Sequence, residues 1–220
     1  MNRLKACELF NLTTPYLNNL FNIVEYPWEI LPKIKDFILE LLKNPPNNFY
    51  VYKEGVLIGE NVKISEKATI IPPAIIGDNT EIRPGAYLRG NVVIGKNCVI
   101  GNSSELKNCM LLDNVQVPHY NYVGDSILGN YAHLGAGVIC SNLKSNKTKV
   151  TVTIDNCKIN TNLRKFSAII GDGVEVGCNS VINPGTVIGK NTIVYPLTSL
   201  RGFIPSNMIV KSVNNIVKQN

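Results

Sequence analysis

Residues 56–100 read VLIGENVKISEKATIIPPAIIGDNTEIRPGAYLRGNVVIGKNCVI. Counting in sixes from Ile58 lands on Ile64, Ile70, Ile76, Ile82, Leu88, Ile94 and Ile100, and the count continues to Leu106 and Leu112. Two residues before each aliphatic stands a small or β-branched side chain, such as Val56, Ala68, Ala74, Ala86 or Cys98, with Met110 the exception. Glycine often follows, as at Gly59, Gly77, Gly95 and Gly101. A period of six is neither the 3.6 of a helix nor the plain alternation of a two-sided sheet. It suits a short strand and a turn, repeated around a prism with three flat sides. The aliphatic and the small residue two before it point inward together. Coils then stack at strand spacing, about 4.8 Å, and the aliphatics form one continuous core.

Outward from this stretch, the series resumes at Leu128, Leu134 and Cys140, and again at Ile170, Val176, Ile182, Ile188, Val194 and Leu200. The register fails between Leu112 and Leu128 and between Cys140 and Ile170. Breaks in a repeat are where functional loops often lie. Residues 141–168 read as an insertion. Lys149 to Ile154 alternates, Asp155-Asn156 can turn, and Cys157 to Ile159 can return as a hairpin. Lys144, Lys147, Lys149, Lys158, Arg164 and Lys165 face one acid, Asp155, and carry nearly all of the chain's net charge of +6. Two readings stay open: a solvated loop, or an anion-binding arm over a site for a sugar or coenzyme phosphate. Nucleic acid is not expected as a partner, because no platform of interleaved aromatic and basic residues occurs.

The ends of the chain differ from its middle. Residues 1–50 read as a helical appendage and linker, 51–205 as the β-helix domain, and 206–220 as a short helix or tail. Thr14-Pro15 reads as N-cap and first helical residue, ahead of an apolar face of Leu17, Leu20, Phe21 and Val24. Leu31, Ile34, Phe37, Ile38, Leu41 and Leu42 suggest a second helix, with Pro32 tolerable only in its first turn. Trp28 reads as packing, and Pro45-Pro46-Asn47-Asn48 as a linker. At 220 residues, 45% hydrophobic and 17% charged, the chain is large and apolar enough for a core and unlike a disordered one. No run of 18 apolar residues predicts a membrane span, and the N-terminus lacks an apolar signal core, so the expected compartment is cytoplasmic. The six cysteines have no metal-like spacing and read as reduced thiols. Asparagine is abundant, at 29 residues. Turns needing left-handed backbone would explain it, and so would compositional drift.

The repeat over roughly residues 55–205 resembles the left-handed parallel β-helix of hexapeptide-repeat acyltransferases. A finer resemblance rests on Val117-Pro-His-Tyr-Asn-Tyr-Val-Gly-Asp-Ser126, Leu134-Gly-Ala-Gly137 and Ser141-Asn142. These are similar to the acetyltransferase half of the bifunctional enzymes that make UDP-N-acetylglucosamine. The resemblance implies His119 as general base and Ala136 as the residue whose backbone N–H faces a developing oxyanion. It implies Tyr122 and Asn142 as sugar contacts. Ile82-Arg-Pro-Gly-Ala86 and Glu105-Leu-Lys107 match as well, and imply Arg83 and Lys107 as ligands of a sugar phosphate. His133 stands where the family has a sugar-contacting Asn. A Lys expected after the site has Lys144, Lys147 and Lys149 as its nearest counterparts, which are the candidate coenzyme contacts.

The chemistry fits the residue types. An amine attacking a thioester must lose a proton, and neutral His can take it near pH 7. A preorganised N–H stabilises the oxyanion, and cationic donors suit a phosphate monoester. Acetyl-CoA would be the co-substrate, with no metal required. Two His spaced fourteen apart do not supply the three-His zinc site of γ-type carbonic anhydrases. The resemblance also implies a homotrimer and an amino-sugar phosphate acceptor, glucosamine 1-phosphate first, with no membrane partner. The nucleotidyltransferase domain of the bifunctional enzymes is not expected within this chain. Local alternatives remain: Arg83 and Lys107 as solvated prism faces, Tyr122 as a core residue in the resumed register, and Asp125 as a turn cap. An acyltransferase with another acceptor, or a non-catalytic module beside a sugar nucleotidyltransferase, are the rival functions.

Overall fold

The computed structural model describes residues 1–212 and 214–219. It is a left-handed parallel β-helix, with short helices at its N-terminal end. Three sheets form the sides of the prism. Two have nine strands and one has seven; apart from the antiparallel end strands Tyr50–Lys53 on the first face and Asn215–Lys218 on the second, each strand stacks in parallel on the one a coil before it. The coils of the first face begin with Val56–Ile58 and Ala74–Ile76, of the second with Lys63–Ile64 and Glu81–Ile82, of the third with Thr69–Ile71 and Tyr87–Arg89. The hexad aliphatics fill the interior as expected. Ile58, Ile76 and Ile94 stack on the first face, Ile82 and Ile100 on the second, and Leu88 and Leu106 on the third.

The expected break between Leu112 and Leu128 is not a break. Ile94 pairs with Leu111, Ile100 with Val117 and Leu106 with Val123, so the coil there, like the next one that pairs Leu111 with Leu128, is one residue shorter than its predecessors. The interior series therefore runs Leu106, Leu111, Val117, Val123, Leu128. Leu112 lies outside it, in a second core. Tyr122 likewise does not fill the interior, because Val123 does. Only after Cys140 does the chain leave the prism, returning at Ala168.

The corners account for much of the asparagine. Asn61, Asn79, Asn97, Asn114, Asn191 and Asn207 all take positive φ at the corner after the first face. Asn is among the few non-glycine residues that enter this region readily. One residue before, side-chain carboxylates and amides knit successive coils. The backbone N–H of Glu60 donates to Asp78 Oδ1 (3.0 Å), that of Lys96 to Asp113 Oδ1 (2.8 Å), and that of Asn130 to Asp172 Oδ1 (2.7 Å).

The first face is buried on both sides. Its outward residues Leu57, Ile75, Val93, Met110, Ile127, Ile169 and Val187 join a second core with Leu4, Leu9, Phe10, Leu17, Leu20, Phe21, Trp28, Ile30, Ile34 and Ile38. The covering helices are Pro15–Asn22 and Ile34–Lys43, the latter preceded by a 3₁₀ stretch, Pro27–Lys33, that holds Pro32. Thr14 makes no side-chain cap bond. Trp28 stacks on Tyr26 with ring centroids 4.6 Å apart and stands 5.9 Å from Phe166.

The insertion completes this cover. Thr151–Ile154 and Cys157–Asn160 form the expected hairpin. Val150, Val152, Ile154 and Phe166 are buried in the second core, and Asp155 at the hairpin turn pairs with Arg3. The segment is thus fastened by its apolar side to the first face of its own chain, while residues 145–149 stay exposed. The C-terminal segment is neither a helix nor a tail. Met208–Ser212 adds a parallel rung beside Ile193–Val194, and Asn215–Lys218 folds back antiparallel on it. Val213 and Asn220, also in the expected tail, lie outside the described residues.

Candidate active site

His119 ends the strand Gln116–His119 on the second face. It pairs with Asn102 on the coil below, and its carbonyl accepts the Gly137 N–H (3.1 Å) from the coil above. Because Gln116 pairs with His133, the rung above His119 is Ala136. His119 is exposed, and its imidazole makes no hydrogen bond among the described residues. The Ala136 N–H likewise has no partner among them, while its carbonyl accepts from Asn179 (2.8 Å). An open imidazole and an unpaired backbone donor thus belong to residues one rung apart, a pairing suited to proton transfer and oxyanion stabilisation.

Asn121 holds this corner, and it was not among the residues singled out from the sequence. It is 2% exposed. Its Oδ1 accepts the His119 N–H (3.1 Å), and its Nδ2 donates to the Gly135 carbonyl (2.7 Å). Its own N–H donates to Ser104 Oγ (3.2 Å). The amide thereby bridges the coil of His119 to the coil of Ala136. Asn121 sits two residues before Val123, an inward slot filled on the other coils by small or β-branched side chains, Met208 on the last rung aside. A large polar residue in that slot was the available signal. Gly101 contributes by close approach: a Cβ there would fall onto the Pro118 carbonyl oxygen.

The remaining candidates divide between two faces. Arg83 follows the second-face strand Glu81–Ile82 and is paired with Glu81, Nε to Oε1 3.2 Å. His133 lies on the second face with Nδ1 2.7 Å from Glu175 Oε2. Lys107, Tyr122 and Asn142 belong to the third face and its exit. Lys107 Nζ lies 3.6 Å from Asp125 Oδ2. Asn142 Nδ2 donates to the Tyr122 hydroxyl (3.2 Å) and to Asp125 Oδ2 (2.5 Å). Burial, with the Asp125 and Glu105 carboxylates nearby, raises the Tyr122 phenol above its usual pKa, so it stays protonated. Lys144, Lys147 and Lys149 follow Asn142 in the insertion, and Lys144 Nζ donates to the Lys149 carbonyl (3.1 Å). Arg83 and Lys107 are therefore each balanced by an acid rather than free, and the two sets look outward from adjacent sides of one prism. No group of three or more potential metal ligands occurs among the described residues.

A model of the GMPPB C-terminal domain matches residues 70–164, and the bacterial transferase hexapeptide model (six repeats) matches residues 167–202. The bifunctional protein GlmU of Methanococcus vannielii is 35% identical over 194 residues, covering 86% of this chain and 46% of that protein. A bifunctional sugar-1-phosphate nucleotidylyltransferase/acetyltransferase of Sulfurisphaera tokodaii is 33% identical over 175 residues, covering 77% of this chain and 43% of that one. The chain spans about half the length of the curated relatives it matches. Among solved structures, a point mutant of AntD, an N-acyltransferase from Bacillus cereus in complex with dTDP and coenzyme A, is 25% identical. It covers 79% of this chain and 92% of that chain with a TM-score of 0.44.

Proposed function

The chain belongs to the hexapeptide-repeat acyltransferases, and from that premise we propose that it moves an acetyl group from acetyl-CoA to the amine of an amino-sugar phosphate, glucosamine 1-phosphate first among acceptors. The observation that carries this reading is the unpaired Ala136 N–H one rung above the unpaired imidazole of His119.

The steps follow from that geometry. His119 takes the proton from the acceptor amine as it attacks the thioester carbonyl. The oxygen of the tetrahedral intermediate becomes O⁻ and accepts the Ala136 N–H. Collapse expels the coenzyme thiolate, which His119 reprotonates, and an amide remains. Arg83 and Lys107 bind the acceptor phosphate, and Tyr122, Asn142 and His133 the sugar. Lys144, Lys147 and Lys149 attract the coenzyme phosphates. The second-face set and the third-face set diverge from one prism, so one ligand meets both only between neighbouring prisms. This supports a homotrimer, with the second face of one copy opposite the third face of the next.

The test is acetyl-CoA turnover with glucosamine 1-phosphate, read as free thiol. Wild-type protein is expected to release thiol only when acceptor is present, and His119→Ala to lose that release. Thiol release by His119→Ala at the wild-type rate overturns the mechanism. Wild-type protein that acetylates no amino-sugar acceptor overturns the function.

A further inference from the structure

The third face carries a buried carboxylate to which the proposed chemistry assigns no task. Asp125 is 5% exposed. Its Oδ1 accepts from Asn108 Nδ2 (2.9 Å), and its Oδ2 accepts from Asn142 Nδ2 (2.5 Å) with Lys107 Nζ 3.6 Å away. A carboxylate with these partners only accepts, so it dictates which end of the Asn142 amide faces inward. The Tyr122 hydroxyl takes a second hydrogen bond from the same Nδ2. Gly124 makes room for the pair, since a Cβ there would meet Tyr122 Oη at 2.5 Å and Asn142 Nδ2 at 2.9 Å.

We propose that Asp125 is a positioning residue for the acceptor site: it locks Asn142 with Oδ1 outward, so that Asn142 Oδ1 and the Tyr122 O–H form an acceptor–donor pair for one sugar hydroxyl. The geometry supports each half of the pair. Asn142 Oδ1 accepts no hydrogen bond among the described residues. The Tyr122 oxygen already accepts from Asn142, which leaves its own proton to donate. A hydroxyl, which both donates and accepts, matches the two together; a carboxylate, acceptor only, does not. The assignment of a sugar acceptor rests on the function proposed above, whereas the amide orientation does not.

Two measurements separate these. The first compares D125N, N142A and the double variant in the thiol-release assay. D125N offers an amide where only an acceptor stood, so Asn142 is free to turn. The expected result is an acceptor KM raised about tenfold or more, as for loss of a charge-assisted hydrogen bond. KM for acetyl-CoA should stay within about twofold, and the double variant should be no worse than N142A. An unchanged acceptor KM, additive losses in the double variant, or equal losses for both substrates overturn the proposal. The second measurement needs no activity: the side-chain amide protons of Asn142, followed by NMR, should be protected from solvent exchange in the wild type and exchange faster in D125N. If the wild type transfers no acetyl group but this protection is seen and lost, the orienting role stands and only the function falls. Equal exchange in both proteins overturns the orienting role.

Discussion

The first and second faces are built from one inward pattern and differ only in what points outward. On the first face the outward row is Leu57, Ile75, Val93, Met110, Ile127, Ile169 and Val187, all buried beneath the N-terminal segment and the hairpin. On the second it runs through Lys63, Glu81, Val99, Gln116, His133, Glu175 and Ile193, all open to solvent or half-buried. The inward row makes both faces strands of one prism. The outward row makes one a structural wall and the other a surface for chemistry. Stability and activity should therefore separate by face.

The sharpest separation is expected at His119. His119→Ala should lower kcat by about 10²–10⁴ and leave the melting temperature unchanged, since the side chain is exposed and its ring makes no hydrogen bond among the described residues. A fall in melting temperature equal to that of a core truncation would erase the distinction. Trp28→Ala should do the converse. It should cost about 3–5 kcal/mol of stability in denaturant titration while leaving the acetyl-CoA KM of the folded protein unaltered. Gly101→Ala tests the seam between wall and site. Its new methyl pushes the Pro118 carbonyl, so it should cost about 1–3 kcal/mol and reduce turnover through the displaced His119.

Smaller effects sharpen the contrast. Ile127→Val on the first face should cost about 0.5–1.5 kcal/mol, and Ile139→Val, which is 37% exposed on the third, less than about 0.5. A comparably small effect belongs to the corner ladder. Burial alone would raise the Asp78 carboxyl, but the Lys96 ammonium 2.9 Å away and the Glu60 N–H outweigh it and hold the carboxyl below its usual pKa. A depressed carboxyl stabilises the fold above its unfolded pKa and loses that contribution as pH falls through the folded value. Asp78→Asn should thus be less stable by about 0.2–1 kcal/mol at pH 7, with Lys96 half-exposed and screened. The gap should close on acidification below about pH 4, the range of an ordinary Asp. A gap that does not narrow at all on acidification would mean that packing, not charge, makes the ladder.

What the sequence revealed follows the same division. Ile58 to Leu106 were legible as interior because a hydrophobic period survives any outward decoration. Leu112 was misread, and the core alternative for Tyr122 arose, because strict counting in sixes cannot accommodate a shortened coil. Leu111, Val117 and Val123 emerge once a step of five is allowed. The neighbourhood of His119 and Ala136 depends on a second such step, from Val123 to Leu128, since a full coil of eighteen residues would bring Gly137 to the rung instead. The hairpin was visible in the alternation of Val150, Val152 and Ile154. Its docking on the first face was not, because net charge in a segment says nothing of where its apolar side lies. Asp125 hid for a related reason: its partners Lys107, Asn108 and Asn142 are seventeen or eighteen residues away, and become neighbours only through the coil register.

The apolar cover on the first face has a thermodynamic consequence. A stack in which each coil meets only the next is a one-dimensional chain, free to fray from either end while its middle persists. Here one continuous apolar layer grips seven successive rungs, from Leu57 to Val187. No inner coil can unwind without stripping that layer, and the layer has no other partner among the described residues. The two therefore melt together, and a molecule built for sequential unzipping is expected to unfold as a single cooperative unit.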